Sequence, residues 1–291
     1  MPADIAAAER FVHANARVLD RHRLAVLLHG APAQPVLDAL RAYRNDDGGF
    51  GHALEPDVRD PDSEPAAALQ ALHVLAEAGA LDDPMVADLA RWIGSVAEPD
   101  GGVPFVMPSA AAYPHAPWMV PSDGGSQLTF ALAAVLTRAG SNDPWLERGT
   151  AWCWNRLEAG DLGAYAVKFA LEFLDHADDA DRASACIERL RERLEPDGTI
   201  PVPGGTEDEC LRPLDLSQRP GLRSRALFTA DQIEADLDRL EREQRDDGGW
   251  KPDFLAWSDG QAIEWRGILT VAVLGILAAH ERVVVPGSVH G

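Results

Sequence analysis

Read for the spacing of its apolar positions, the chain divides into two kinds of helix. Segments 84–97, 143–158, 181–195 and 231–245 place apolar residues three and four apart on a charged background, as with Ile187, Leu190 and Leu194. That is the pattern of a helix with one buried stripe. Segments 65–78, 127–139, 164–174 and 262–280 are apolar nearly all round, which requires cover on every side. The first kind belongs outside and the second inside. An amphipathic helix over 3–28 and a short outer one over 35–44 complete the count, with a sixth inner segment expected at 219–227 inside a Pro-rich stretch. Helix starts are legible where Ser63-Glu64-Pro65, Asp83-Pro84 and Asp143-Pro144 set a capping oxygen ahead of a first-turn proline. Residues 229–232 fit a capping box.

Between outer and inner helices a turn recurs. Residues 244–250 read Gln-Arg-Asp-Asp-Gly-Gly-Trp, with weaker copies at 45–50, 98–103 and 195–200 and a degenerate one at 160–165. Each clear copy ends a helix, turns on glycine and presents Phe50, Val103, Ile200 or Trp250. The first glycine suits a left-handed stop, and the second lets another backbone pass close. Repetition at the length of a helix pair plus a variable loop predicts an all-α, (α/α)6-type toroid, a closed barrel of helical hairpins without a substantial sheet. The expectation is one domain over 1–291, with repeat units over 34–280 and helix 3–28 closing the ring. Long loops at 50–64, 102–125, 200–225 and 250–262 fall at the glycine-turn end, where function is expected.

Composition narrows the partners. The net charge is −21, from 47 acids against 26 bases, and the lysines are Lys168 and Lys251 alone; a basic stripe for nucleic acid is missing. The longest apolar run, 268–279, is short for a membrane span and contains Gly275. Residues 1–10 lack the features of a signal peptide. Three scattered cysteines argue against a disulfide framework. A cytoplasmic protein is expected.

The Gln-x-x-Asp-Gly-Gly-Trp run and its copies resemble the repeat of the terpenoid cyclase and protein prenyltransferase superfamily, over roughly 34–280. The resemblance implies the α/α toroid and a small hydrophobic isoprenoid ligand, while leaving the chemistry open among cyclisation, zinc-dependent prenyl transfer and non-catalytic roles. Class II cyclases carry Asp-x-Asp-Asp ahead of an inner helix, where the middle acid protonates an alkene or epoxide. Asp60-Pro61-Asp62-Ser63 stands at that place, so the resemblance implies Asp62 as the acid and Asp60 as its partner. Such an acid must be held neutral and dry. Ser63 replaces the last aspartate, and a capping loop accounts for the same residues. Glu55 and Asp57, alternating on an extended segment fixed by Pro56, form a second candidate acid pair. Cyclases of this superfamily generally enclose their substrate between two domains, so one domain implies a smaller site.

The zinc-dependent relatives use Asp-x-Cys and a histidine at the start of the last inner helix. Asp208 and Cys210 have the first spacing, but that helix starts Glu264-Trp265-Arg266-Gly267 and His280 lies at its far end. No metal or other cofactor is expected. Aromatic faces stabilise carbocations and also pack cores. The candidate ligand-binding residues are Phe50, His52, His115, Trp118, Trp257, Trp265 and Arg266, with Phe105 and Tyr113 on the same loops. Trp92, Trp145, Trp152 and Trp154 belong to outer-helix packing, and Lys168 with Glu172 reads as an ion pair one turn apart. A small class II terpene cyclase-like enzyme is the leading expectation. A non-catalytic isoprenoid- or partner-binding toroid and a sugar-active α/α barrel stay open beside it, as does completion of the site by a partner subunit.

Overall fold

The computed structural model describes residues 2–283. Its helices are α1 (Ile5–Asn15), α2 (Val18–His29), α3 (Gln34–Arg41), α4 (Pro65–Glu77), α5 (Pro84–Val96), α6 (Leu128–Arg138), α7 (Pro144–Ala159), α8 (Ala164–His176), α9 (Ala180–Leu190), α10 (Pro213–Leu216), α11 (Ala230–Arg242) and α12 (Asp259–Ala279). Among the described residues the one sheet is a two-residue antiparallel pair, β1 (Ile200–Pro201) with β2 (Cys210–Leu211). The chain is all-α. Its contacts form two compact units, Leu40–Leu190, and Met1–Ala39 together with Arg191–Gly291.

In the continuous unit α6 packs between α4 and α8, and α5, α7 and α9 each cover the helix that precedes them. Every residue from Leu128 to Leu136 is buried, as an all-apolar inner helix requires. Phe130 meets Trp152 edge-on at 5.6 Å, and Trp154 meets Phe173 at 5.1 Å. The Trp145 indole donates to the Gly101 carbonyl at 2.9 Å. These outer-helix tryptophans pack against inner helices and turns, as expected.

Asp83 and Asp143 cap α5 and α7, each accepting an N–H two residues on at 2.9 Å, and Thr229 with Gln232 closes a reciprocal capping box on α11. The start of α4 differs. Its N-cap is Glu64, whose side chain caps nothing. Ser63, expected to be the cap, donates its hydroxyl to Asp47 Oδ1 at 2.8 Å and accepts from Asn45 Nδ2 at 3.0 Å.

Four turns share one geometry. The N–H groups of Asn45, Glu98, Glu195 and Arg245 donate to the carbonyl four residues on, and Gly48, Gly101, Gly198 and Gly248 donate back. Those four glycines have φ between 88° and 96°, where a side chain is strained. Asp47, Asp100, Asp197 and Asp247 each accept the N–H two residues on. The second glycine answers to crowding, since a Cβ on Gly49 would lie 2.5 Å from Ser63 and one on Gly249 2.7 Å from Phe11. In the degenerate copy Gly160 simply caps α7 in the left-handed conformation.

In the discontinuous unit α1 and α2 pack on α12, and α10 on α11, around a core that includes Phe11, Leu24, Leu237, Trp250 and Leu274. The single helix expected over 3–28 is two, because Ala16 is extended with ψ 162°. The break seats Ala16 against α12, where a Cβ on Gly267 would lie 2.8 Å from the Ala16 Cβ. Arg17 and Arg23 then close on the buried Asp20 at 2.8 Å each. Burial disfavours the Asp20 charge, but the two guanidiniums outweigh it and hold the carboxyl below its ordinary range. The inner helix expected at 219–227 is a single 3-10 turn, Arg223–Leu227. At 21 residues α12 outruns the apolar segment read from sequence. By length and composition alone it meets the requirement for a membrane span, with a mean hydropathy of 1.7 over its most apolar 18 residues. A core helix meets it too. The three cysteines are unpaired.

Candidate functional site

The loop after the first glycine turn is folded tightly back on itself. A Cβ on Gly51 would stand 2.0 Å from the Asp62 carbonyl oxygen, and His52 and Ala53 both take left-handed φ values, 54° and 59°. Holding two such residues requires firm surroundings. The loop 102–125 supplies them: Arg59 donates its N–H to the Pro114 carbonyl, Ala116 donates to that of Asp57, and Val58 bridges to His115. The two loops interlock over the start of α4.

Four carboxyl residues are buried there, namely Glu55, Asp57, Asp60 and Glu64. Glu64 Oε2 accepts the Met107 N–H at 2.9 Å, and Asp60 Oδ1 accepts the Asp62 N–H at 2.9 Å. The other oxygens, Glu64 Oε1 and Asp60 Oδ2, are buried with no donor in reach among the described residues. Removal from water pushes the Glu64 carboxyl up to about 8; the Met107 N–H opposes this, and the charge and hydrogen bond of Asp60 add to it. A proton kept on Glu64 and shared with Asp60 accounts for both orphaned oxygens. The second pair is held differently. Glu55 accepts from Gln70 Nε2 at 3.2 Å and from the Asp57 N–H at 3.3 Å, and Asp57 accepts from Trp118 Nε1 at 3.0 Å.

Asp62, expected to be dry, is exposed, whereas Asp60 and Glu64 are buried. Nothing in the sequence marks Glu64, because an acid before a proline reads as ordinary helix-start chemistry. Its hydrogen-bond donor is the N–H of Met107, 43 residues away.

The candidate ligand-binding residues have several fates. Phe50 is fully buried beneath its turn. His52 is exposed and bonded to Asn45 Oδ1 at 2.9 Å. His115 is half-buried, with Nδ1 on the Tyr113 carbonyl at 2.7 Å. Trp118, Tyr113 and Val120 are exposed together on the loop 102–125. In the discontinuous unit Trp257 keeps a buried indole N–H with no acceptor among the described residues, and Trp265 stands edge-on to Phe254 at 5.4 Å. Arg266 grips Asp247 through both carboxylate oxygens at 2.7 and 2.8 Å and lies 4.4 Å from the Phe11 ring centre. That grip holds the Asp247 carboxyl below its ordinary range, so the guanidinium is committed to its turn. Burial pushes the Cys210 thiol up. Among the described residues no three His, Cys, Asp or Glu side chains group to hold a metal. The expected Lys168–Glu172 pair is replaced: Glu172 Oε1 meets His73 Nε2 at 2.8 Å.

No protein-family model matches the sequence, and no curated protein matches it. Solved structures do. A crystal structure of a protein from Actinoplanes is 18% identical and superposes with a TM-score of 0.59, over 95% of this chain and 99% of that one. A variant of the type II terpene cyclase MstE from Scytonema, in complex with merosterolic acid A, is 16% identical over 91% of this chain and 87% of that one, with a TM-score of 0.51. Another MstE variant, without ligand, is 15% identical over 96% of each chain, with a TM-score of 0.50. At such identities the likeness shows the fold, all-α and of the α/α-toroid class found in terpene cyclases.

Proposed function

We propose that this chain is a terpene cyclase-like protein that binds a small isoprenoid and starts its cyclisation with a proton from the Asp60–Glu64 pair. The observation that carries this reading is a buried carboxyl, after the first glycine turn and at the head of an inner helix, that keeps its proton up to about pH 8 beside a second carboxyl. In the proposed step the π electrons of a terminal alkene form a C–H bond with the proton on Glu64. The O–H electron pair stays on the carboxyl, and a carbocation is left for an internal alkene to close on. Loss of a proton to water from the carbon beside the final cation forms the product alkene, and the carboxyl takes a proton back from solvent. The N–H groups of Met107 and Asp62 stabilise the anion left behind, and the ring faces of Trp118 and Tyr113 suit a cationic carbon. Chain length does not oppose the reading, since the MstE chain is covered over 96% of its own extent.

A non-catalytic isoprenoid-binding role is the second reading. It is favoured by the complete burial of Glu64 and its bond to Met107, which would then latch the loop 102–125. Incubation with geranyl, farnesyl and geranylgeranyl diphosphates, read by mass spectrometry, separates the two. Cyclic product is expected from the parent, with turnover lower by about a hundredfold or more in Glu64→Gln and little changed in Asp62→Asn. Product that survives Glu64→Gln but not Glu55→Gln moves the donor to the second pair. No product, with a melting temperature raised by ligand, selects the binding role.

A further inference from the structure

We propose that α4 and α8 carry an anion subsite, in which Lys168 and His73 hold the carboxylate or phosphate head of an isoprenoid ligand. The inference rests on the isoprenoid-binding part of the proposed function and holds whether or not the ligand is turned over.

The argument begins with two helix faces. From Pro65 to Leu75 every residue of α4 is buried except Gln70 and His73, which with Glu77 recur on one face. On α8 the residues left accessible are Tyr165, Ala166, Lys168, Phe169, Glu172, Asp175 and His176, and Lys168, Glu172 and His176 repeat every four. The faces meet where His73 bonds Glu172, yet the two side chains keep 33% and 25% of their surface exposed. Solvent reaches this point on helices that are otherwise packed.

Lys168 lies one turn before Glu172, and the sequence pairs them. The structure does not. Glu172 turns to His73, and Lys168 makes no hydrogen bond or ion pair with any described residue. Lys168 is near enough to act on Glu172 and His73 through space, but a half-buried ammonium without a hydrogen-bond acceptor is unfavourable, and in a chain with 47 acids and two lysines that needs a reason. Burial opposes the charge on His73, but the Glu172 carboxylate outweighs it by attraction and hydrogen bond, with Glu77 assisting and Lys168 opposing. His73 is thereby held above its ordinary range. Glu172 is in turn held below its own against burial, by His73, His176 and Lys168. With the charge of Glu172 matched by His73, Lys168 is the cation left over. Its three ammonium hydrogens and the His73 Nδ1–H are compact donors, the complement of carboxylate or phosphate oxygens.

The test titrates tryptophan fluorescence with three probes that share one chain: farnesyl diphosphate, farnesoic acid and farnesol. In the parent at least one anionic probe should bind about tenfold or more tightly than farnesol, and which one gains tells phosphate from carboxylate. Lys168→Met should erase the advantage while leaving farnesol unchanged, and Lys168→Arg should restore most of it. The anionic advantage should also weaken as pH rises above the ordinary histidine range, where His73 loses its proton, and His73→Gln should remove that dependence. Equal binding of all three probes by the parent overturns the subsite alone. So does a Lys168→Met variant that weakens farnesol as much as the anions, which marks a structural role. Failure of all three to bind overturns the isoprenoid reading and the subsite with it.

Discussion

The turn at Asp47 and the turn at Asp247 share their backbone hydrogen bonds and their two glycines, but their electrostatics are opposite. Asp47 receives neutral donors, the Gly49 N–H, the Ser63 hydroxyl and the Trp92 indole. Asp247 receives the Arg266 guanidinium. Beyond the first turn Asp60 and Glu64 are buried with backbone N–H groups and each other as partners, and neither pairs with a cation among the described residues. A recurring turn is therefore frame, and the place where charge goes uncompensated is where chemistry is to be sought, because burying a carboxyl without a cation lowers stability that packing alone would preserve.

The largest effect expected from this contrast is a pH dependence. Glu64 keeps its proton up to about pH 8 in the folded state and releases it near 4.5 when unfolded. The folded state holds the extra proton between those values, so stability is full below the lower one and falls as pH rises toward the upper one. At about 1.4 kcal/mol per pH unit the fall is on the order of 5 kcal/mol at most. Urea unfolding of the parent at several pH values should show it. In Glu64→Gln, which keeps a donor toward Asp60, the dependence should flatten and stability at the alkaline end should exceed the parent's. A flat parent profile breaks the contrast.

Two glycine substitutions sharpen it. A Cβ on Gly51 meets backbone, the Asp62 carbonyl, whereas one on Gly249 meets the Phe11 ring. Gly51→Ala should cost about 3 kcal/mol, and Gly249→Ala about half as much because a ring can shift. Chemical denaturation of both variants checks the order.

The smallest effects separate neutral from ionic support. Ser63→Ala should cost about 1 to 2 kcal/mol through loss of its bonds to Asp47 and Asn45, with little response to salt. Arg266→Gln should cost about 1 kcal/mol or less, since Asp247 is half-exposed, and the loss should shrink as salt screens the parent's pair.

Much of the frame could be read in advance because local stereochemistry dictates it. Left-handed turns demand glycine at Gly48, Gly101, Gly198 and Gly248, and Asp83 and Asp143 cap before prolines by local geometry. What escaped was decided at a distance. Ser63 looks like a cap until Asp47 and Asn45 claim its hydroxyl. Glu64 looks solvated until Met107 covers it. Lys168 looks paired until His73, on another helix, takes Glu172. The break at Ala16 carries no proline or glycine, and only its fit against Gly267 explains it.

One unit is assembled from residues far apart in the chain, and translation makes them at different times. Phe11, Val12 and Leu24 find their partners Leu237, Trp250 and Leu274 only when the far segment exists. At about 5 to 20 residues per second the interval is roughly ten seconds or more. Residues 40–190 need no such wait, since that unit is continuous. The nascent chain thus carries α1 and α2 as an uncovered apolar surface, open to chaperones and to aggregation, until α12 emerges and docks.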